Sequence, residues 1–120
     1  MIALGNAALK IFVALEPCDL RKSFDGLFAI ASGHLAGGRL GSDTLFVFVN
    51  KRRNRIKLLY FDGTGLWVAA KRLEKGRFSW PKASEAGQKK IKLSAEALQM
   101  IVDGVDLRGV GFKPWYERPD

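Results

Sequence analysis

Residues 51–92 hold thirteen lysines and arginines against three carboxylates, Asp62, Glu74 and Glu85. That segment alone carries a net charge of +10 in a chain whose total is +8, because residues 1–50 sum to zero and residues 93–120 to −2. Charge of one sign confined to one region raises the local potential and attracts polyanions. Lysine and arginine meet phosphate oxygens through charge-assisted hydrogen bonds, so these residue types point to phosphate binding. The principal surface is expected from Lys51, Arg52, Arg53, Arg55 and Lys57, extended by Lys71, Arg72, Lys75, Arg77 and Lys82. Arg21 and Lys22 either add to it from a helix or pair with Asp25, four and three residues further on. Tyr60, Phe61, Trp67, Phe78 and Trp80 interleave with the charges. Most of these rings are expected in the core; an exposed Tyr60 or Trp67 would suit stacking on a single strand. A merely solvated surface is the plainer reading, and the local excess with few acidic neutralisers argues against it.

The other reactive residue types offer less. Strand transfer on a polynucleotide needs two or three carboxylates converging on a divalent metal. The acids here have local tasks: Asp19 as a helix cap, Asp62 in a turn, Asp25 and Glu74 beside basic neighbours. His34 is the single histidine and Cys18 the single cysteine, so neither zinc-ligand spacing nor a nucleophile–histidine arrangement is available. Ala36 to Ser42 is glycine-rich but lacks the Lys-Ser/Thr ending of a phosphate-binding loop and follows no strand. A self-sufficient enzyme, a metal and a cofactor are therefore not expected.

Leu45–Val49 is a continuous apolar run, as in a strand buried on both faces. Lys51–Arg55 is too polar for a core, and Asn54 suits a turn. Ile56–Phe61 follows as a strand, Asp62-Gly63-Thr64-Gly65 as a hairpin turn, and Leu66–Leu73 as a third strand. Glu74-Lys75-Gly76 turns the chain into a short fourth strand, Arg77–Trp80, stopped by Pro81. Before this meander, Lys10–Leu15 reads as a strand. Asp19 then caps a helix reaching Leu35, with Leu20, Phe24, Leu27, Phe28, Ala31 and Leu35 on one apolar stripe. Gly26 within it calls for a close approach to the sheet or a bend. After the meander, Lys82–Lys90 is a basic loop or a frayed strand crossing the sheet edge, Ile91–Leu93 is extended, and Ser94 caps a helix ended by Gly104.

The expected fold is α+β: an antiparallel β-meander of about five strands with two packed helices. The first helix covers one face and the second closes an edge or lies on the same face. The 120 residues, 48% of them hydrophobic, suit a single domain over residues 1–106. A Gly/Pro/aromatic tail spans 107–120, where Trp115 and Tyr116 dock either on the domain or on a protein partner. No apolar run approaches the roughly 20 residues that span a bilayer, and Met1–Leu9 has no basic region ahead of it. One cysteine fits a reducing cytoplasm. Whether an edge strand pairs with another copy is left open.

The blocks Asp19–Leu27 (DLRKSFDGL), Leu45–Phe48, Arg55–Gly63 and Lys71–Pro81 (KRLEKGRFSWP) resemble the TnpB (Orf2-like) accessory proteins of insertion sequence 66-type transposons, collinearly over roughly residues 10–105. Phe61 stands where tryptophan is expected in many relatives, the Ala36–Ser42 loop is richer in glycine, and the tail after Leu107 lies outside the likeness. The resemblance implies a small bacterial protein encoded beside a separate acidic-triad transposase and required for transposition. It is distinct from the RNA-guided nucleases also called TnpB. It brings no catalytic residues, since none is assigned to the family. DNA, as transposon ends or a transposase–DNA complex, and the transposase itself are the implied partners. A module that grips the transposase with little or no nucleic-acid contact is the alternative.

Overall fold

The computed structural model describes residues 9–33 and 41–107. His34, Leu35, most of the glycine-rich loop, Trp115 and Tyr116 lie outside the described residues. The elements are β1 (Lys10–Ala14), α1 (Phe24–Gly33), β2 (Thr44–Val49), β3 (Arg55–Phe61), β4 (Leu66–Arg72), β5 (Lys90–Leu93) and α2 (Ala95–Val102). They build one five-stranded sheet in the order β4-β3-β2-β1-β5.

The antiparallel meander is real for β2, β3 and β4, but the sheet is mixed. β1 runs parallel to β2, with Ile11 beside Leu45 and Val13 beside Val47, and β5 adds antiparallel to β1. The reason lies in the connection. Parallel neighbours need a crossover of a dozen or more residues, usually through a helix, and the chain from β1 through α1 supplies it. The expected fourth strand is not regular: Arg77–Trp80 forms no ladder. Phe78 and Trp80 are both buried, while Ser79 Oγ donates to the Val105 carbonyl (3.1 Å) and accepts from the Leu107 N–H (3.0 Å). Alternation here reports one half-buried crossing segment, held by the Phe78 N–H to the Arg53 carbonyl and the Trp80 indole N–H to the Ala14 carbonyl (3.0 Å).

All six residues of β2 are buried, because the sheet is covered on both faces. One core holds Ile11, Val13, Leu45, Val47, Val49, Ile56, Phe78, Trp80 and the buried face of α2 (Ala97, Leu98, Ile101). The other holds Ala14, Phe46, Phe48, Leu59 and α1 through Leu27 and Ala31. The two helices therefore lie on opposite faces, not on one face or an edge. The odd and even positions of β2 need separate partners, and each helix supplies one.

α2 starts as its sequence predicts: Ser94 Oγ accepts from the Ala97 N–H (3.1 Å), and Gly104 at φ +75° follows the last turn. α1 is shorter than expected and rotated. It begins at Phe24, and the Ser23 carbonyl accepts the Leu27 N–H (2.9 Å). Asp19 is not its cap, since that carboxylate accepts from the backbone and guanidinium of Arg21. Leu27 and Ala31 are buried, but Phe24 and Phe28 are 46% and 38% exposed; the buried arc is displaced toward half-buried Ile30. Gly26 does meet a close neighbour, but it is the Lys22 side chain: a Cβ there would sit 2.9 Å from Lys22 Cβ.

The β3–β4 hairpin is organised by Asp62. Its carboxylate accepts from the Trp67 indole N–H (2.8 Å), the backbone N–H groups of Thr64 (2.8 Å) and Gly65 (2.9 Å), and the Thr64 hydroxyl (2.9 Å). Those donors hold the carboxyl well below the usual carboxylate range, the indole contributing most. A lowered folded-state pKa gives stability that is present above the unfolded value near about 3.9 and is lost as pH falls toward the folded one. Asp62→Asn is therefore expected to melt below wild type at pH 7, with the gap closing as pH drops below about 4. Thermal melts in a pH series read this directly; a gap unchanged at low pH removes the charge from the explanation.

Candidate nucleic-acid interface

One groove of about 1190 Å³ opens at the end of the sheet where the β2–β3 turn, the start of β3, the end of β4 and the segment after β1 meet. Pro17, Leu20, Ile56 and Ala70 supply its apolar part, while Arg21, Lys51, Arg52, Arg55, Lys57 and Arg72 supply cations. Lys71 lines it as well, but its Nζ donates to the Val102 carbonyl at the end of α2 (2.7 Å), where the helix dipole favours a cation.

The register brings the charges together. Arg55 lies directly opposite Arg72, and Lys57 opposite Ala70. Hydrogen bonds at Asn54/Leu73 and Asp62/Gly65 fix the alternation of the ladder, and it makes Arg55/Arg72 a non-hydrogen-bonded pair, the kind whose side chains approach most closely. Like charges directly opposed destabilise a sheet. Both arginines are exposed, and among the described residues neither has a carboxylate within ion-pair distance; the ion pairs there join Arg21 to Asp19 and Lys89 to Glu16.

The turn that carries Lys51, Arg52 and Arg53 is held by Asn50. Its Oδ1 accepts from the N–H groups of Asn54 (3.1 Å) and Arg55 (3.0 Å), and its Nδ2 donates to Asn54 Oδ1 (2.7 Å). Arg53 takes a left-handed conformation at φ 59° and closes the turn by donating its N–H to the Asn50 carbonyl (3.0 Å). Asn50, the residue that follows the Leu45–Val49 run, is therefore a positioning residue for the basic turn. The signal was present in the two asparagines bracketing a basic turn, Asn50-Lys51-Arg52-Arg53-Asn54.

The remaining predicted positions divide. Lys57 is half-buried and its Nζ donates to the Lys22 carbonyl (2.8 Å), tying the sheet to the approach to α1. Arg53, Lys75, Arg77, Lys82 and Lys22 do not line the groove. Arg21 does, but it forms a forked pair with Asp19 (2.8–3.1 Å), not with Asp25. That guanidinium and the Arg21 N–H hold the Asp19 carboxyl at about 2. Cys18, half-buried beside it, has its thiol pushed up by burial and by the Asp19 charge, which keeps it protonated and poorly nucleophilic. Among the described residues, no three His, Cys, Asp or Glu side chains are grouped to hold a metal ion.

Of the two rings proposed for stacking, Tyr60 is half-buried with its hydroxyl donating to Asp43 Oδ1 (3.2 Å), and Trp67 is 48% exposed. Both face the α2 side of the sheet, away from Arg55, Lys57 and Arg72, because they are cross-strand partners at the other parity. No helix among the described residues is long and apolar enough to cross a membrane.

The described residues thus form a five-stranded mixed sheet between two helices, with a cation-lined groove at one end. The chain belongs to the IS66 Orf2-like family: the family described as IS66 Orf2 like protein matches residues 9–111. It is similar to two proteins of Sinorhizobium fredii. Uncharacterized protein y4jC is 34% identical over 109 residues, covering 91% of this chain and 90% of that protein. Uncharacterized protein y4hO is 32% identical over 100 residues, covering 83% and 84%. No solved structure matches the chain.

Proposed function

We propose that this protein is a non-catalytic accessory factor of transposition that binds DNA along the groove between the β2–β3 turn and the end of β4. The observation that carries this reading is the Arg55/Arg72 pair. Two exposed arginines at directly opposed positions repel one another, and a phosphate lying between them turns that repulsion into two charge-assisted contacts. Lys51 and Arg52, on a turn stiffened by Asn50, continue the same surface. Family membership supplies the context, transposon ends or a transposase–DNA complex. Arg53, Lys75, Arg77 and Lys82 belong to a wider field that steers DNA without gripping it. The protein acts in the cytoplasm, where the element and its transposase meet.

The test is fluorescence anisotropy with labelled transposon-end duplex, scrambled duplex and single strand over a salt series. Duplex binding is expected, and if six to ten phosphates are neutralised the affinity falls about 10³- to 10⁵-fold between 50 and 200 mM salt. The ratio of end to scrambled duplex reads specificity, which resides in base-edge contacts. Absence of binding at low salt rejects the DNA reading in favour of a module that grips the transposase. Preference for single strand would move the contact to the Trp67 face.

A further inference from the structure

Among the described residues the two edges of the sheet are unlike. β5 is four residues long and carries Lys90 and Lys92, the short, lysine-bearing form by which sheets discourage pairing with other chains. β4 is seven residues long, begins with five uncharged residues (Leu66–Ala70), and pairs with β3 at every position without a bulge. It lacks proline, and from Ala69 to Arg72 it is exposed. We propose that β4 is a self-association edge, and that two copies of this chain join through antiparallel β4–β4 pairing about a two-fold axis at Ala69.

The hydrogen-bond parity requires the axis to fall on a residue and not between two, and pairing the whole seven-residue strand puts it at the central one, Ala69. The Asp62 N–H donates to the Gly65 carbonyl (3.2 Å) and the Leu73 N–H to the Asn54 carbonyl (2.9 Å). Alternation between these ends directs the backbone groups of Trp67, Ala69 and Lys71 to β3, and those of Leu66, Val68, Ala70 and Arg72 outward. A two-fold axis at Ala69 sets Leu66 opposite Arg72 and Val68 opposite Ala70 of the second copy, so outward groups meet outward groups in about eight backbone hydrogen bonds. All seven residues are paired. No cation faces a cation: Arg72 meets Leu66, and Lys71 meets Trp67. The axis itself falls on Ala69, small enough for the close approach of a non-hydrogen-bonded pair.

The arrangement also accounts for Trp67, whose 48% exposure is unusual for so large an apolar ring. Asp62 holds its indole N–H, and Lys71, reaching toward Val102, extends its aliphatic stem along the same face. In the paired sheet the ring of one copy covers the Lys71 stem of the other. The two Arg72 residues then stand about 20 Å apart along the strand direction, so the dimer presents two basic grooves related by the axis. What favours a second copy over an extended segment of another protein is that in this register each exposed Trp67 meets a Lys71 stem and no cation meets a cation.

The experiment is sedimentation equilibrium of the full 13.3 kDa chain over a concentration series. Wild type is expected at twice the chain mass. Ala70→Pro removes an outward N–H while sparing the ladder to β3, and is expected to be monomeric with an unchanged circular dichroism spectrum. Ala69→Lys and Ala69→Glu place like charges opposite one another and each raise the dimer dissociation constant about fivefold. An equimolar mixture of the two restores association as a heterodimer. A wild type that stays monomeric overturns the proposal and leaves the edge to another protein's strand. A dimer that survives Ala70→Pro overturns the assignment to β4.

Discussion

Replacing Lys51, Arg52, Arg55 and Arg72 together by alanine is expected to weaken duplex binding by roughly 10²- to 10³-fold. Four contacts at about 1 kcal/mol each give that figure. The same substitution should flatten the slope of log affinity against log salt by about 3 to 4, since each neutralised phosphate contributes about 0.9 to it. The matched control, Lys75/Arg77/Lys82→Ala, removes charge outside the groove and should change the slope by less than half as much. A further consequence separates this surface from a merely solvated one. Because Arg55 and Arg72 oppose each other in the ladder, their removal relieves repulsion, so the four-residue variant should melt at or above the wild-type temperature while losing affinity. Equal losses in both variants would mean that the field of the whole basic region, and not the groove, holds the DNA.

The largest effect on stability is expected at Phe46. Its ring is fully buried in the α1-side core and stacks with Phe12 (5.9 Å) and Phe48 (5.2 Å). Truncation to alanine removes that packing and leaves a cavity flanked by a rigid central strand, at a cost of about 3–5 kcal/mol. Phe28→Ala, on the exposed rim of α1, should stay within about 0.5 kcal/mol of wild type. Urea titrations of the two variants give the comparison. Similar values would mean that the outer face of α1 is covered in solution.

Much of the chain is local in its causes, and those parts were legible without coordinates. The β2 run of Leu45–Val49 has no polar member, so burial on both faces followed from composition. Ser94 capping α2, Gly104 after it, and the Asp62-Gly63 turn depend on hydrogen bonds and backbone geometry within a few residues. The charge segregation needed only counting, and the DLRKSFDGL and KRLEKGRFSWP blocks were enough to identify the family.

Most of what the sequence misassigned depends on distant partners. Arg77–Trp80 alternates like a strand, but its neighbours are Arg53, Ala14 and Val105, reached only after folding. The stripe on α1 is defined by the part of the sheet it rests on, so Phe24 and Phe28 look like core in the chain and stand at the rim in the fold. Asp19 has the character of a cap, yet Arg21 two residues away offers a forked partner and wins. The sign of the β1–β2 pairing was decided by the crossover through α1, which burial patterns alone do not encode. The candidate site divides in the same way. Which residues are cationic is written in the sequence. That Arg55 meets Arg72, that Lys57 and Lys71 are committed to backbone carbonyls, and that Trp67 lies on the opposite face are matters of register. Strand register couples residues far apart in the chain through a period of two, and only the assembled sheet sets it.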